Sequence, residues 1–300
     1  MLDWLTALRV RAGESLAVVR KELGTTSAVL KAAAEAGDVV AHLLGFDLGS
    51  LPDGDLQRAA RNLGQLLLGR AAETVFEEAF GKALGSHGYS VEDYRTDRSG
   101  TDFRVRDSLS RPLYRLNIKF HGSQFSRAPD LVGLQSVDCF ALATYKIKGA
   151  LDKQQDEHLP YVFVIVGVPH LTGAAVGAKV PTDLVELAAV VSAAPRINRK
   201  RDFEDRVVDW ISHHGLPVYS DTISQIASAP WYVLSARRAD QVLRAKLYER
   251  VFALRVRNFA QQFRSAEVDM HFSLSQDLTP LHDFFTRLRD DQAGACLEFS

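Results

Sequence analysis

"YRLNIKFHG", residues 114–122, decides how this chain is read. As a strand, its side chains alternate between two faces. Leu116, Ile118 and Phe120 take one face, and Arg115, Asn117, Lys119 and His121 take the other. A half-buried strand commonly shows water a polar face, but here a lysine stands between an amide and an imidazole. The row is either a solvated edge or the wall of a site.

The sequence on either side sets the context. Upstream, "YSVEDYR" (89–95) and "TDFRVRD" (101–107) alternate with period two and predict two more strands, joined by the turns "TDRSG" and "SLSRP". Before them, residues 55–84 show helical periodicity, with a break expected near Gly69 and an end at "GSHG". Downstream, residues 130–155 predict one helix, and Pro160 introduces "YVFVIVGV" (161–168), an apolar run suited to a strand buried on both faces. The order is helix, three strands, helix, strand, which predicts an α/β fold with a mixed (α+β) sheet. Val91, Phe103, Val105, Leu116, Ile118, Phe120 and residues 162–166 are expected to line that sheet, flanked by helices near Ala71 and Val137.

The flanks are less regular. Residues 1–68 predict an N-terminal helical region, 69–168 the core, and 169–300 a mostly helical region packed on it. Helices are expected at 182–193, 202–214, 235–263 and 281–289, with extra strands at "WYVLS" (231–235) and "VDMHFSLS" (268–275).

Composition narrows the class. Hydrophobic residues make up 46% of the 300 and charged residues 24%, an ordinary globular balance. The formal net charge is −1, so any nucleic-acid surface must be local. Two cysteines, Cys139 and Cys296, supply neither a thiolate metal cluster nor a disulfide framework. No apolar run approaches the ~20 residues of a spanning helix, and charge interrupts the N-terminal segment. The expectation is a cytoplasmic protein with no membrane contact.

If the second and third strands pair, Asp102 neighbours Asn117 and Lys119 on the polar face. Two hard oxygen donors beside an ammonium suit magnesium-assisted phosphodiester hydrolysis, in which the lysine orients the attacking water or offsets charge. A mixed-charge surface hairpin is the other reading of the same residues.

Three short motifs fall on these elements: "FEEAFGKALGSHGYSV" on the first helix, "SGTD" opening the second strand, and "NIK" on the third. Together with the element order they resemble the PD-(D/E)XK nuclease superfamily, which includes restriction endonucleases and archaeal Holliday-junction resolvases. The resemblance spans roughly residues 71–168 and implies a restriction-endonuclease-like αβββαβ core with helical extensions. Its spacing selects Glu77, three turns before the helix-ending Gly88, and it matches Asp102, Asn117 and Lys119 to the remaining site positions. It implies that Glu77, Asp102 and Asn117 hold Mg2+, with Mn2+ as a substitute, and that Lys119 serves the attacking water. Two positions depart from the pattern. Thr101 stands where proline is usual, and Asn117 replaces an acidic ligand, so the site would bind metal more weakly. The implied activity is a DNA endonuclease of restriction, anti-phage or repair type. The alternative is a catalytically degenerate nucleic-acid-binding or assembly protein of the same fold. Nothing in the sequence separates DNA from RNA.

Neighbouring residues extend the picture. Glu73 lies one helical turn before Glu77 as a partner, whereas Glu78 is rotated by about 100°. Candidate nucleic-acid contacts are His121, Tyr145 and Lys146, Arg199 and Lys200 in "RINRKRD", and Lys246, Arg250 and Arg257 as a stripe on the expected long helix. Cutting both strands with one site per chain is most simply done by a homodimer. The N-terminal helices and the long C-terminal helix are the expected contact surfaces.

Overall fold

The computed structural model describes residues 53–95, 101–122, 125–168, 170–193, 200–213, 215–255 and 267–290. Its elements begin with α1 (Asp53–Val75), a π-helical turn (Phe76–Gly81), α2 (Lys82–Gly85), β1 (Ser90–Asp93), β2 (Phe103–Arg106) and β3 (Pro112–His121). Next come α3 (Ala128–Val132), β4 (Cys139–Ala143), α4 (Thr144–Glu157), β5 (Tyr161–Gly167), α5 (Gly173–Gly177) and α6 (Thr182–Ala193). Then follow α7 (Lys200–His213), α8 (Pro217–Ala227), β6 (Trp231–Ser235), α9 (Ala236–Ala245) and α10 (Leu247–Arg250). The last are β7 (Val251–Arg255), β8 (Glu267–Ser273), α11 (Leu274–Asp277), β9 (Thr279–Pro280) and α12 (Leu281–Asp290). They form two compact units: Met1–Ala71 with Leu171–Thr222, and Ala72–His170 with Ile223–Ser300.

The second unit is organised around β5, all of whose residues are buried. β5 runs parallel to β3 and antiparallel to β6, and the six strands lie in the order β1-β2-β3-β5-β6-β9. The β3–β5 pair is the one parallel pairing in this sheet, so the fold is mixed α/β with a mostly antiparallel sheet. Tyr161, Phe163 and Ile165 pack with Phe140, Ile147, Ala239 and Phe272 on one side of it. Phe76 of the π-helical turn stacks on Phe103 and Trp231, with ring centroids 5.4 and 6.2 Å away. Helical segments therefore cover both faces of the sheet, the layered arrangement that buries a two-sided strand.

Local signals explain the joints. Tyr89 N–H donates to Leu84 O, Gly88 N–H donates to Gly85 O, and Gly88 takes φ +81°, a left-handed closure of the helix that glycine adopts without penalty. α1 runs unbroken through Gly69, where a break was expected. In the first unit, α1 instead uses Gly64 for close approach: a Cβ there would lie 2.0 Å from Gly173 O.

Two expected helices are corrected. Residues 130–155 do not form one helix. α3 stops at Gly133, which adopts φ +68°, and Cys139–Ala143 then pairs with β8 in a separate sheet of order β4-β8-β7. The covering helix is accordingly α4, and Val137 is not helical. Likewise, α9 ends at Ala245 and Val251–Arg255 is a strand paired with β8. The long helix 235–263 does not exist as one element, and with it goes the Lys246, Arg250 and Arg257 stripe. Lys246 pairs with Glu249 at 2.8 Å and Arg250 with Asp277 at 2.6 Å, while Arg257 lies outside the described residues. The same correction removes one of the two surfaces on which a dimer was expected, and the N-terminal helices lie outside the described residues. α8 was not among the expected helices. No helix among the described residues is long and apolar enough to cross a membrane.

Candidate active site

The polar row of β3 is not a solvated edge. Arg115 is 2% exposed, and Asn117 and His121 are 7% exposed. Arg115 donates from Nη1 to Thr101 Oγ1 at 2.9 Å and pairs through Nη2 with Glu157 of α4. It is a buried tie between sheet and helix.

Asp102 sits where β2 parts from β3. Its N–H donates to Leu116 O at 2.9 Å, the last rung of backbone pairing before β2 turns away. The N–H of Ile118 then has no strand to meet on that side, and Asp102 Oδ2 accepts it at 2.5 Å. The sequence "GTD" thus puts a carboxylate into the fork between two strands, beside Asn117 and Lys119. Burial pushes the Asp102 carboxyl above its ordinary value, against the pull of Lys119, the Ile118 N–H and Arg95.

Lys119 is the counterpart. Its Nζ donates to Ile118 O at 3.0 Å. Burial brings its pKa down from 10.5 to about 8, opposed by Asp102, reinforced by Lys146 and opposed again by Glu73. A lysine with its pKa lowered this far can serve near neutral pH as a proton acceptor in its amine form or as a positive charge in its ammonium form.

The first-helix carboxylates divide their roles. Glu73 is the one whose charge reaches Lys119. Glu77 is about half exposed and receives Arg95 Nη2 at 2.8 Å. Both carboxylates reach the one Arg95 guanidinium, Glu77 Oε2 at 2.8 Å from Nη2 and Glu73 Oε2 at 3.6 Å from Nη1.

The structure also places the other candidates. His121 is buried edge-on against Phe140, with centroids 6.1 Å apart, and burial lowers its pKa. Its Nε2 is buried with no hydrogen-bond partner among the described residues. Tyr145 and Lys146 are exposed in the first turn of α4. The side chain of Lys200 and the whole of Arg199 lie outside what the structure describes. The residue that sequence reasoning missed is Arg95, which meets Asp93, Glu77 and Glu73. An Asp-x-Arg pair at the end of a predicted strand was its one local signal.

As to a cation, no three His, Cys, Asp or Glu side chains gather as a metal-binding group among the described residues. The oxygen donors around Lys119 are the carboxylates of Asp102 and Glu73, whose charges act on it, and the amide of Asn117 on the same face of β3. That donor set suits magnesium or manganese by type. No family model, curated protein or solved structure matches the chain.

Proposed function

We propose that this protein is a metal-dependent DNA endonuclease with a PD-(D/E)XK-type core. The observation that carries it is the fork: Asp102 buried where β2 leaves β3, with Asn117 and a pKa-lowered Lys119 beside it. The topology supports it as well. A helix, the antiparallel β1-β2-β3 meander and a helix leading into the parallel strand β5 follow the order of that superfamily's core. On this reading Asp102, Asn117 and a first-helix carboxylate hold the ion. Glu73 is the better placed of the two carboxylates, and Glu77 is the alternative.

A bound Mg2+ or Mn2+ would supply positive charge to the phosphate and acidify a water. The chain's own residues do the rest. Asp102 is fixed by the Ile118 N–H, so it enters the site oriented. Lys119, poised near neutral pH, takes a proton from the attacking water or offsets charge that develops in the transition state. Lys146, on the rim, adds attraction for a phosphate backbone.

The test is nicking of supercoiled plasmid in Mg2+ or Mn2+, with binding followed by anisotropy at matched salt. Lys119→Ala should lower cleavage by about 10²-fold or more while DNA affinity changes little, because the lysine acts on transition-state charge. A wild-type chain that binds DNA and never cuts it is a binding protein of the same fold, and the nuclease assignment falls.

A further inference from the structure

Arg95 is held more firmly than an ordinary surface ion pair. Its backbone N–H and its Nε–H each donate to Asp93 Oδ1 at 2.9 Å. Nη2 donates to Asp93 Oδ2 at 2.6 Å and to Glu77 Oε2 at 2.8 Å. The guanidinium also lies over the Phe103 ring, 5.0 Å from its centroid. A guanidinium has about five N–H donors, one on Nε and two on each Nη. Asp93 and Glu77 engage Nε and Nη2, so one edge of the fork is fixed.

The Nη1 end lies beside Glu73. Nη1 donates to no group among the described residues, and its ion-pair partner is Glu73 Oε2 at 3.6 Å, beyond hydrogen-bond reach. Glu73 is the carboxylate whose charge reaches Lys119, and the charge of Arg95 itself reaches Asp102. The side chain is 20% exposed, enough to be approached from solvent. A guanidinium anchored through Nε and both hydrogens of Nη2 keeps the two N–H groups of Nη1 for a phosphate's non-bridging oxygens.

We infer that Arg95 contacts a backbone phosphate of the nucleic acid at this site, with Asp93 and Glu77 as its positioning residues. This rests on the nuclease reading and gives Glu77 a role other than metal ligand. With Glu73 engaged by the divalent ion of the proposed site, the Nη1 edge is left for a phosphate oxygen. The fork is then pre-organised, and little ordering remains to be done when the substrate arrives.

The experiment uses the full chain and a fluorescein-labelled DNA duplex in Mg2+, in a Lys119→Ala background so that binding is read without cutting. Arg95→Ala should weaken binding severalfold and reduce the slope of log affinity against log salt by about 0.9, the loss of one phosphate contact. Arg95→Lys should restore the slope. In the chain that keeps Lys119, it should still cut about 10²-fold more slowly, because the ammonium cannot replace the fork. Mn2+ binding, followed by electron paramagnetic resonance, separates positioning from ligation. Glu77→Ala should slow cleavage and leave Mn2+ affinity unchanged, whereas Glu73→Ala should loosen Mn2+. If Arg95→Ala does not fold by circular dichroism, Arg95→Lys and Glu77→Ala carry the test. A salt slope indifferent to Arg95, or Mn2+ loosened as much by Glu77→Ala as by Glu73→Ala, overturns this assignment alone. A wild-type chain that binds no DNA overturns the nuclease reading and this one with it.

Discussion

Lys119 occupies a position where its charge destabilises the folded chain. Its pKa falls from 10.5 to about 8 on folding, and that balance already includes the attraction of Asp102. Between those two values the unfolded chain binds more protons, so stability rises with pH there. The contribution is complete above pH 10.5 and is lost as pH falls through about 8. Asp102 behaves oppositely in pH: its raised pKa gives stability at low pH that is lost as pH rises through the shifted value. At neutral pH Lys119 carries its charge at the expense of stability. Lys119→Met should therefore raise stability at pH 7 by on the order of 2 kcal/mol, discounted for the part of the side chain that water screens. The gain should vanish above pH 10.5, where the lysine of the unfolded chain is also neutral. Thermal melts across that range check the sign. A Lys119→Met chain less stable than wild type at pH 7 would mean that Asp102 more than offsets the burial. At this scale period two alone puts Asn117 and Lys119 on one face, and the expected pairing of β2 with β3 brings Asp102 beside them. The sequence was uninformative about Arg95. Arg95 reaches Glu73 and Glu77 of the preceding helical segment through tertiary contact, which no local pattern shows.

Elements fail to be legible where a distant partner decides them. "CFALA" and the first residues of "VFALRVR" carry alanine and leucine, good helix formers, and a local reading extends the neighbouring helices through both. They are strands because β8, more than a hundred residues from β4 in sequence, lies between them. "YVFVIVGV" needed no such help: a β-branched apolar run after proline has one economical reading, and every residue of β5 is buried. Helix α1 offers a test in which two glycines of one helix respond with opposite sign. At Gly69 nothing lies within 4 Å of an added Cβ, so Gly69→Ala should stabilise by about 0.5–1 kcal/mol through helix propensity. At Gly64 the added Cβ meets Gly173 O at 2.0 Å and Gly177 N at 2.5 Å, backbone atoms that cannot step aside cheaply. Gly64→Ala should destabilise by about 2 kcal/mol or more, in the manner of an overpacked core. Urea denaturation of the two variants measures both, and equal effects would show that α1 and α5 do not cross in backbone contact.

For the whole molecule, the decisive number is one fork site per chain. Strands from two separate stretches of sequence, residues 90–167 and 231–280, share one sheet, and this long-range pairing is invisible to any local reading of the chain. The sheet places Asp102 and Lys119 once. On the proposed nuclease reading, one such site acting in one orientation makes one cut per engagement, whereas severing both strands at a locus takes two sites of opposite polarity. A two-fold dimer supplies them, because its axis can coincide with the pseudo-dyad of duplex DNA. The plasmid assay reads this directly. A dimer that holds both strands should convert supercoiled plasmid to linear form with little nicked circle accumulating, and its light-scattering mass on DNA should be twice that of the chain. A single chain should accumulate nicked circle first and yield linear plasmid only as independent nicks coincide. Nicked circle as the persistent product, together with a single-chain mass in both free and DNA-bound states, would fix the protein as a monomeric nickase. The dimer would be excluded while the chemistry assigned to Asp102 and Lys119 still stood.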